Sequence, residues 1–287
     1  MKDITAPHAA AADAPILPSG AHSDFRREMS YGGYLDLDAL LSCQKPLTDE
    51  HDEPLFVMIH HVSEIWMKLI LHELGTAMNL IRKDTLPPAF KMISRVSKIQ
   101  SQLLQSWGVL ATMTPADYLR FRDKLGYSSG FQSYQYREIE YRFGNKNAAM
   151  LRPHAHLEKL HAHLSAVLHA PSIYDETIAL LARRGLPVAP ELLKRDFSER
   201  HQAHDSVREA WLTVYRNTER YWDLYELAEK LVDMEDSFQQ WRYAHLRTVT
   251  RIIGMRRGTG GTDGVPYLQK ALNYCFFPEL WDIRTML

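Results

Sequence analysis

The stretch that decides the fold is residues 234–264, MEDSFQQWRYAHLRTVTRIIGMRRGTGGTDG. Its first part keeps a helical period, and at about 100° per residue His245 falls in the same sector as Phe238 and Trp241. His245 therefore points into the interior with the aromatic side chains. The end of the stretch, RRGTGGTDG, contains two arginines and four glycines, so it predicts a loop after the helix.

Periodicity alone leaves two interpretations of His245 open. A single buried histidine is most often a core side chain whose ring nitrogens bind backbone or hydroxyl groups. Alternatively, a neutral imidazole in an aromatic wall is an axial ligand to a metal or to haem iron. The loop also has two interpretations. It is a flexible surface loop, or its glycines let the backbone approach a ligand while its arginines contact anions.

Composition narrows the class of protein. The chain has 287 residues, 45% hydrophobic and 24% charged, which is ordinary for a soluble globular protein. A formal net charge of -1 gives no reason to expect nucleic acid as a partner. The two cysteines, Cys43 and Cys275, form no CxxC pair, which fits a reducing compartment and excludes a disulfide scaffold. Any haem would therefore be bound without covalent thioether links.

The chain carries no targeting or membrane signal that we recognise. No apolar run approaches the roughly 20 residues that a membrane-spanning helix needs, so we expect no membrane insertion. Residues 1–24 are rich in alanine and interrupted by prolines, which predicts a disordered tail and not a signal peptide. We therefore expect the protein in the cytoplasm.

A long helix is predicted from about residue 54 to residue 82, because its apolar residues keep a 3.6-residue period. Phe56 and His60 are four residues apart and share one sector, whereas His61 turns away. His60 is therefore the better candidate for a pocket wall. A surface histidine is the alternative.

A second candidate pair lies on a further predicted helix, whose N-terminus is capped by Thr114. Tyr118 and Arg122 are four residues apart, so a phenol and a guanidinium project together. This pair suits a carboxylate, because arginine supplies a fork of donors and tyrosine a further hydroxyl. The alternative is a surface arginine stacked on a tyrosine.

The segment 131–143, dense in aromatic and charged residues, predicts packing and intersubunit surface.

Three further patterns lead to structural predictions. Five histidines lie within 154–169, but a second Glu-x-x-His motif is missing, so we interpret the stretch as a solvated face and not a di-iron site. Residues 205–253 contain no glycine or proline, and one helix of that length would span roughly 70 Å. We expect a break near Asp233–Asp236. Gly32 and Gly33, between two tyrosines, predict a pliable arm or a turn.

No stretch alternates as a β-strand does, and no repeat or linker divides the chain. We predict an all-α fold in which residues 25–287 form a single helical domain. Long aromatic faces on its helices favour an oligomer.

Five motifs, in this order and spacing, closely resemble the tryptophan 2,3-dioxygenase family. They are SYGGYL (30–35), DEPLFVMIHHVSEIWMKL (52–69), GYSSGFQSYQYR (126–137), YWDLYELAEKLVD (221–233) and FQQWRYAHLRTVTRIIGMRRGTGGTDGV (238–265). The resemblance implies a haem enzyme that inserts both atoms of O2 across the pyrrole double bond of L-tryptophan. The product is N-formyl-L-kynurenine, in the first step of the kynurenine route.

The resemblance also implies roles for individual residues. His245 corresponds to the axial ligand of a non-covalently bound haem b, and His60 to the distal histidine near the indole nitrogen. Arg122 and Tyr118 correspond to the residues that bind the substrate carboxylate. Thr259 corresponds to the contact with the substrate ammonium group. Long helices would surround this haem pocket.

Four more residues complete the implied site. Phe56 corresponds to an apolar wall of the pocket, and Ser129 to a polar residue close to the haem. Tyr31 and Leu35 correspond to positions that close the site of a neighbouring subunit in a homotetramer with exchanged N-terminal segments. The alternative function is a non-catalytic helical haem carrier or sensor, which has no use for groups that bind a zwitterion.

Overall fold

A computed structural model describes Pro18 and residues 20–287 of the chain. Throughout these residues the backbone forms helices, turns and irregular segments, with no strand, so the all-α prediction is confirmed. Most of the tail predicted at 1–24 lies outside the described residues. The division into that tail and a helical domain at 25–287 stays a prediction. The described residues up to Lys45 form one compact unit, and Pro46–Leu287 form a second.

The first unit contains two short helices, α1 (Tyr31–Leu35) and α2 (Leu37–Ser42). The hydroxyl of Ser30 caps α1 by accepting the backbone N–H of Gly33 at 3.0 Å. Asp36 adopts the left-handed conformation, φ 48°, and separates the two helices. The paired glycines that predicted a pliable arm or a turn are therefore helical, because a side-chain cap satisfies the first turn.

The second unit contains ten α-helices and five 3-10 helices among its described residues. The α-helices are α3 (Glu53–Arg82), α4 (Leu86–Leu110), α5 (Pro115–Phe121), α6 (Tyr134–Phe143), α7 (Glu158–His169), α8 (Ile173–Arg183), α9 (Asp205–Arg216), α10 (Trp222–Ile253), α11 (Val265–Leu272) and α12 (Pro278–Asp282). The 3-10 helices are Arg122–Leu125, Gly130–Gln132, Ala148–His154, Pro190–Lys194 and Ile283–Thr285.

The core lies along the three long helices, since α4 packs against both α3 and α10. Ile70, Leu74 and Ile93 are fully buried there. Each such side chain stabilises the fold by roughly 1.5–3 kcal/mol relative to an exposed one. The predicted helix from about residue 54 to residue 82 is confirmed as α3, with its proline in the first turn.

The break expected in 205–253 falls at residues 217–221, and not at Asp233–Asp236. Helix α10 runs through the acidic cluster because Glu235 has partners there. Its carboxylate accepts the backbone N–H groups of Phe276 and Phe277 at 2.6 and 3.2 Å. These bonds stabilise helix α10 at Glu235. The predicted break assumes a solvated acidic cluster, which would favour the end of a helix at this position.

The prediction of packing for 131–143 is confirmed, because the charged residues of α6 are buried within this chain. The intersubunit part of that prediction stays a prediction. Arg137, Glu138 and Glu140 are each at most 5% exposed. Arg137 is hydrogen-bonded to Glu140, and Arg142 to Glu138. These side chains pair with one another and with neighbouring helices, which is how charges are accommodated in an interior.

The histidine-rich stretch is only partly the solvated face that we predicted. His154 is buried, and the partly exposed His163 lies 2.7 Å from a carboxylate oxygen of Glu138. Within the part of the chain that the structure describes, no group of three or more His, Cys, Asp or Glu side chains is placed to hold a metal ion.

Of the helices in the described residues, α3 alone is long and apolar enough to cross a membrane by length and composition. A core helix of a soluble protein passes the same test. Helix α3 packs against α4, α6 and α8, but Met58, Val62 and Ile65 in its first half are 49%, 41% and 49% exposed. The prediction that no run is long and apolar enough to span a membrane is therefore wrong for α3, and the expectation of no membrane insertion stays a prediction.

Candidate active site

Four elements converge on a second, smaller apolar cluster: the first half of α3, the end of α4, α5 and the end of α10. Its buried members are Leu110, Met113, Tyr118, Phe121 and Ile252. Phe56 of α3 packs against it and contacts the rings of Tyr118 and Phe121 at centroid distances of 5.8 and 5.7 Å. The sequence-predicted residues of α3, α5 and α10 are thus assembled around one apolar wall.

His60 lies one turn after Phe56, and its ring tautomer follows from its contacts. Its Nδ1 atom lies 2.7 Å from the carbonyl oxygen of Phe56. Because a carbonyl only accepts, Nδ1 carries the proton and Nε2 keeps a lone pair. Burial, the largest cause, lowers the pKa of His60 below its usual 6.5. His60 is therefore a neutral acceptor at neutral pH.

His245 lies on α10 against two indole rings that also contact each other. The Trp107 ring is parallel to it at a centroid distance of 4.5 Å and an angle of 7°, and Trp241 lies 5.7 Å away. Neither ring nitrogen of His245 is hydrogen-bonded to a described residue. Burial first, and the nearby His60 second, lower the pKa of His245 to about 4. His60 is thus near enough to affect the pKa of His245, and His245 offers an unused lone pair.

Three buried donors, two beside His245 and one beside Tyr118, have no hydrogen-bond partner in the described part of the chain: Nε1 of Trp107, Nε1 of Trp241 and Nε of Arg122. An unsatisfied buried donor costs about 1–3 kcal/mol, so such groups mark a place where a further molecule binds. A free neutral imidazole, an aromatic wall and unpaired donors fit a haem held through His245.

Tyr118 and Arg122 lie together, as their spacing predicts. Thr114 caps α5 with a capping box, and α5 ends at Phe121. Arg122 begins the following 3-10 turn, but its backbone N–H still binds the carbonyl of Tyr118, so the one-turn spacing is kept. Burial raises the pKa of Tyr118, and the neighbouring Arg122 opposes that effect.

The glycine-rich loop after α10 packs on the segment that contains Arg122 and Ser129. Arg122 Nη2 donates to the carbonyl of Arg257 at 2.7 Å, and the hydroxyl of Thr259 donates to the carbonyl of Ser128 at 2.5 Å. A Cβ atom at Gly260 would lie 2.8 Å from Cβ of Ser129, so this close approach requires glycine. The loop is thus held against the site and is not a free surface loop.

Two predicted residues lie in the other compact unit. Tyr31 and Leu35 are on α1, where 75% and 40% of their surface is exposed.

Ser129 is partly buried and caps the 3-10 helix Gly130–Gln132.

Trp107 was missed by sequence reasoning. Its helix was recognised, and Trp107 follows Leu103 by four residues on one face. That spacing indicates a core position as readily as a contact with His245.

Together, the fold and the site define a class: an all-helical protein that brings two histidines, their aromatic neighbours and an arginine to one apolar cluster. Comparison with known proteins gives the family. The tryptophan 2,3-dioxygenase family model matches residues 18–287. Tryptophan 2,3-dioxygenase of Burkholderia pseudomallei strain K96243 is 57% identical over 281 residues, covering 98% of this chain and 92% of the relative. The same enzyme of Burkholderia mallei strain ATCC 23344 is 55% identical over 285 residues, covering 98% and 93%.

The chain belongs to the tryptophan 2,3-dioxygenase family. It is an enzyme, a dioxygenase that oxidises tryptophan in the kynurenine route, and enzymes of this family depend on haem. The activity implied by the five motifs is therefore confirmed, and the alternative of a non-catalytic carrier or sensor is not favoured.

Proposed function

We propose that His245 holds a non-covalently bound haem b as its axial ligand. One observation carries this proposal: the neutral imidazole of His245 packs against two indole rings, with His60 near enough to affect its pKa, and the nitrogens of His245 have no described protein partner. The unpaired N–H groups of Trp107 and Trp241 support it. When bound, the haem supplies the iron that activates dioxygen.

The substrate, L-tryptophan, has three chemically distinct parts, and we assign each to a different group of this chain. Arg122 and Tyr118 bind the carboxylate, through a guanidinium and a phenol that lie together. Phe56 lies against the indole and excludes water from it. Thr259 accepts from the ammonium group. Because its own proton is donated to Ser128, its oxygen is left with lone pairs, the polarity that an ammonium needs.

His60 orients the indole in this proposal. The Nε2 lone pair, fixed by the bond from Nδ1–H to Phe56, accepts the indole N–H. A neutral imidazole is too weak a base to remove that proton, since its own pKa lies below its usual value. Ser129, next to the loop, is a polar neighbour of the haem. The dioxygenation product is N-formyl-L-kynurenine, formed when both oxygen atoms of O2 enter across the pyrrole double bond.

We further propose a homotetramer in which N-terminal segments are exchanged, so that Tyr31 and Leu35 close the site of a neighbouring subunit. Their exposed aromatic and aliphatic surfaces support this assignment, because such surfaces are usually covered by a partner. We also propose a cytoplasmic location, which the two separate cysteines support.

The test compares His245→Ala with His169→Ala, a histidine substitution on the exposed surface of α7. We expect purified His245→Ala to lack the Soret band and to form no formylkynurenine from L-tryptophan under air, whereas His169→Ala retains both. Free imidazole added to His245→Ala should restore haem binding. If His245→Ala keeps the wild-type spectrum, the ligand assignment is wrong.

A further inference from the structure

Arg242 lies one turn before His245 on α10 and is 3% exposed. Its guanidinium has a partner on each side. Nη2 donates to Glu140 of α6 at 2.6 Å, Nη1 to the backbone carbonyl of Ala271 of α11 at 3.0 Å, and Nε to the hydroxyl of Tyr136 at 3.3 Å. Arg242 thus connects α10 to two other elements through a planar fork whose geometry lysine cannot reproduce.

Two aromatic rings that also contact each other pack against the same guanidinium. Its central carbon lies 4.7 Å from the ring centroid of Phe238 and 4.9 Å from that of Phe276. Both contacts are in the range of cation–π attraction, which is strongest where water is excluded. The side chain is therefore held by aromatic contacts as well as by its hydrogen bonds.

Glu140 is the counter-charge of this cluster and is 2% exposed. Besides Arg242, it binds Arg137, the amide of Asn145 at 3.1 Å and the hydroxyl of Tyr136 at 3.2 Å. Its oxygens are well satisfied, as a buried carboxylate requires. Removing one member of such a cluster leaves the others buried without a partner, so the cluster acts as one rigid unit.

The cluster is connected to His245 by aromatic rings. Tyr136, whose hydroxyl is held by Arg242 and Glu140, packs against Trp241 at a centroid distance of 5.5 Å. Trp241 in turn packs against His245 at 5.7 Å. Three contacts thus join a rigid ion pair to the imidazole, and none of them involves Arg122 or the glycine-rich loop.

We infer that Arg242 and Glu140 are positioning residues for His245. They hold Tyr136 and Trp241 against the imidazole, and so fix the orientation in which it meets the iron. The inference rests on the proposed role of His245 as the haem ligand. Groups that orient a metal ligand through its neighbours typically change metal affinity by about 10- to 100-fold when removed.

The experiment measures the rate at which haem is lost from each holoenzyme to excess apomyoglobin. Arg242→Met and Glu140→Gln remove one partner each, and Arg242→Lys keeps the charge without the fork. Arg195→Met is the matched control. Arg195 is partly buried and forms an ion pair with the buried Asp175 at 2.7 Å, but that pair joins α8 to the segment after residue 194.

We expect Arg242→Met and Glu140→Gln to lose haem about 10- to 100-fold faster than the wild type, with Arg242→Lys between them and the wild type. Arg195→Met should lower Tm to a similar extent and leave the rate of haem loss unchanged. The KM for L-tryptophan should stay unchanged in every variant, because the residues proposed to bind it lie elsewhere. Tyr136→Phe, which removes a single hydroxyl, should give a smaller increase in haem loss.

The inference is overturned if haem loss follows Tm through the whole series, Arg195→Met included, or if Arg242→Met loses haem at the wild-type rate. Failure of the proposed haem ligand gives a different result. In that case His245→Ala itself binds haem with the wild-type spectrum, whatever the variants of Arg242 and Glu140 do.

Discussion

The indole of Trp107 lies parallel to the imidazole of His245, with ring centroids 4.5 Å apart and planes 7° from one another. The two residues come from different long helices, α4 and α10, which pack together in the core. A flat stack of this kind restricts rotation of the imidazole about its bond to Cβ. Trp107 therefore helps to determine which direction the free nitrogen of His245 faces.

Replacing the stack should weaken haem binding. Trp107→Leu keeps an apolar side chain but removes the ring, whereas Trp107→Phe keeps a ring without the N–H. An aromatic pair contributes about 0.5–1.5 kcal/mol beyond its buried area, so we expect haem loss from Trp107→Leu to be about 2- to 12-fold faster than from Trp107→Phe. Stopped-flow transfer of haem to apomyoglobin measures the two rates. Equal rates would mean that the stack has no orienting role.

Much of the fold could be predicted because helical periodicity determines which residues share a face. The pattern of α3 placed Phe56 and His60 together, and the pattern of α10 placed His245 with Phe238 and Trp241. Capping residues located the start of α5 for the same reason: Thr114 satisfies backbone groups only a few residues away. Local physics was sufficient for each of these features.

Features that depend on distant partners could not be predicted. Helix α10 continues through Glu235 because that carboxylate binds the backbone of Phe276 and Phe277, about forty residues later in the chain. Likewise, the charges of α6 are buried because Glu140 meets Arg242 of α10. A single sequence shows a charged residue but not its partner, so packing could be predicted for α6 but its buried ion pairs could not.

The assignment of Arg122 predicts a loss of substrate affinity and of discrimination. Arg122→Met removes charge-assisted bonds to the carboxylate worth about 1.5–3 kcal/mol, so the KM for L-tryptophan should rise roughly 10- to 150-fold. Tryptamine lacks the carboxylate, so it should bind the wild type weakly. Its affinity should be the same in Arg122→Met, because Arg122 has no carboxylate to bind in this ligand. Steady-state rates with both compounds test whether the preference for L-tryptophan over tryptamine is reduced in Arg122→Met.

Arg120→Met is the matched control for that prediction, because Arg120 lies on α5 but is 64% exposed and only weakly bonded to Glu50 at 3.4 Å. Its kinetic constants should equal those of the wild type. If Arg120→Met and Arg122→Met raise KM equally, a general loss of positive charge explains the effect, and the carboxylate assignment fails.

The orienting role of His60 predicts a partial loss of activity. His60→Ala removes one hydrogen bond to the indole N–H, so we expect kcat/KM for L-tryptophan to fall about 2- to 12-fold, the equivalent of roughly 0.5–1.5 kcal/mol. 1-Methyl-L-tryptophan has no such N–H. Its kcat/KM should be lowered less by the substitution, which formylkynurenine-type absorbance can follow.

A complete loss of turnover in His60→Ala, with haem and L-tryptophan still bound, would contradict this role and favour a general base. The pKa of His60 is lowered by burial, so over neutral pH the imidazole stays neutral. Any inflection that His60 causes in the activity of the wild type should consequently lie below the pH of about 6.5 at which an ordinary imidazole titrates.

Lys146 predicts an unusual pH dependence of stability. Its ammonium is buried, and Nζ donates to the carbonyls of Val167 and Ala170 at the end of α7, at 3.1 and 2.7 Å. Burial, the largest cause, lowers its pKa from 10.5 to about 8. Between these two values the unfolded chain binds more protons than the folded one, so stability rises with pH.

We therefore expect the free energy of unfolding of the wild type to increase, relative to that of Lys146→Met, as pH rises from about 8 to about 10.5, by up to about 3 kcal/mol. Below pH 8 the cost of burying the charge is fully present, and the difference between the two proteins should be constant. Denaturant unfolding at several pH values measures it, and subtraction of the variant removes contributions from tyrosines and other lysines. Lys159→Met, an exposed lysine of α7, should follow the wild type throughout. A wild-type curve parallel to that of Lys146→Met up to pH 10.5 would show that the buried amine keeps its ordinary pKa.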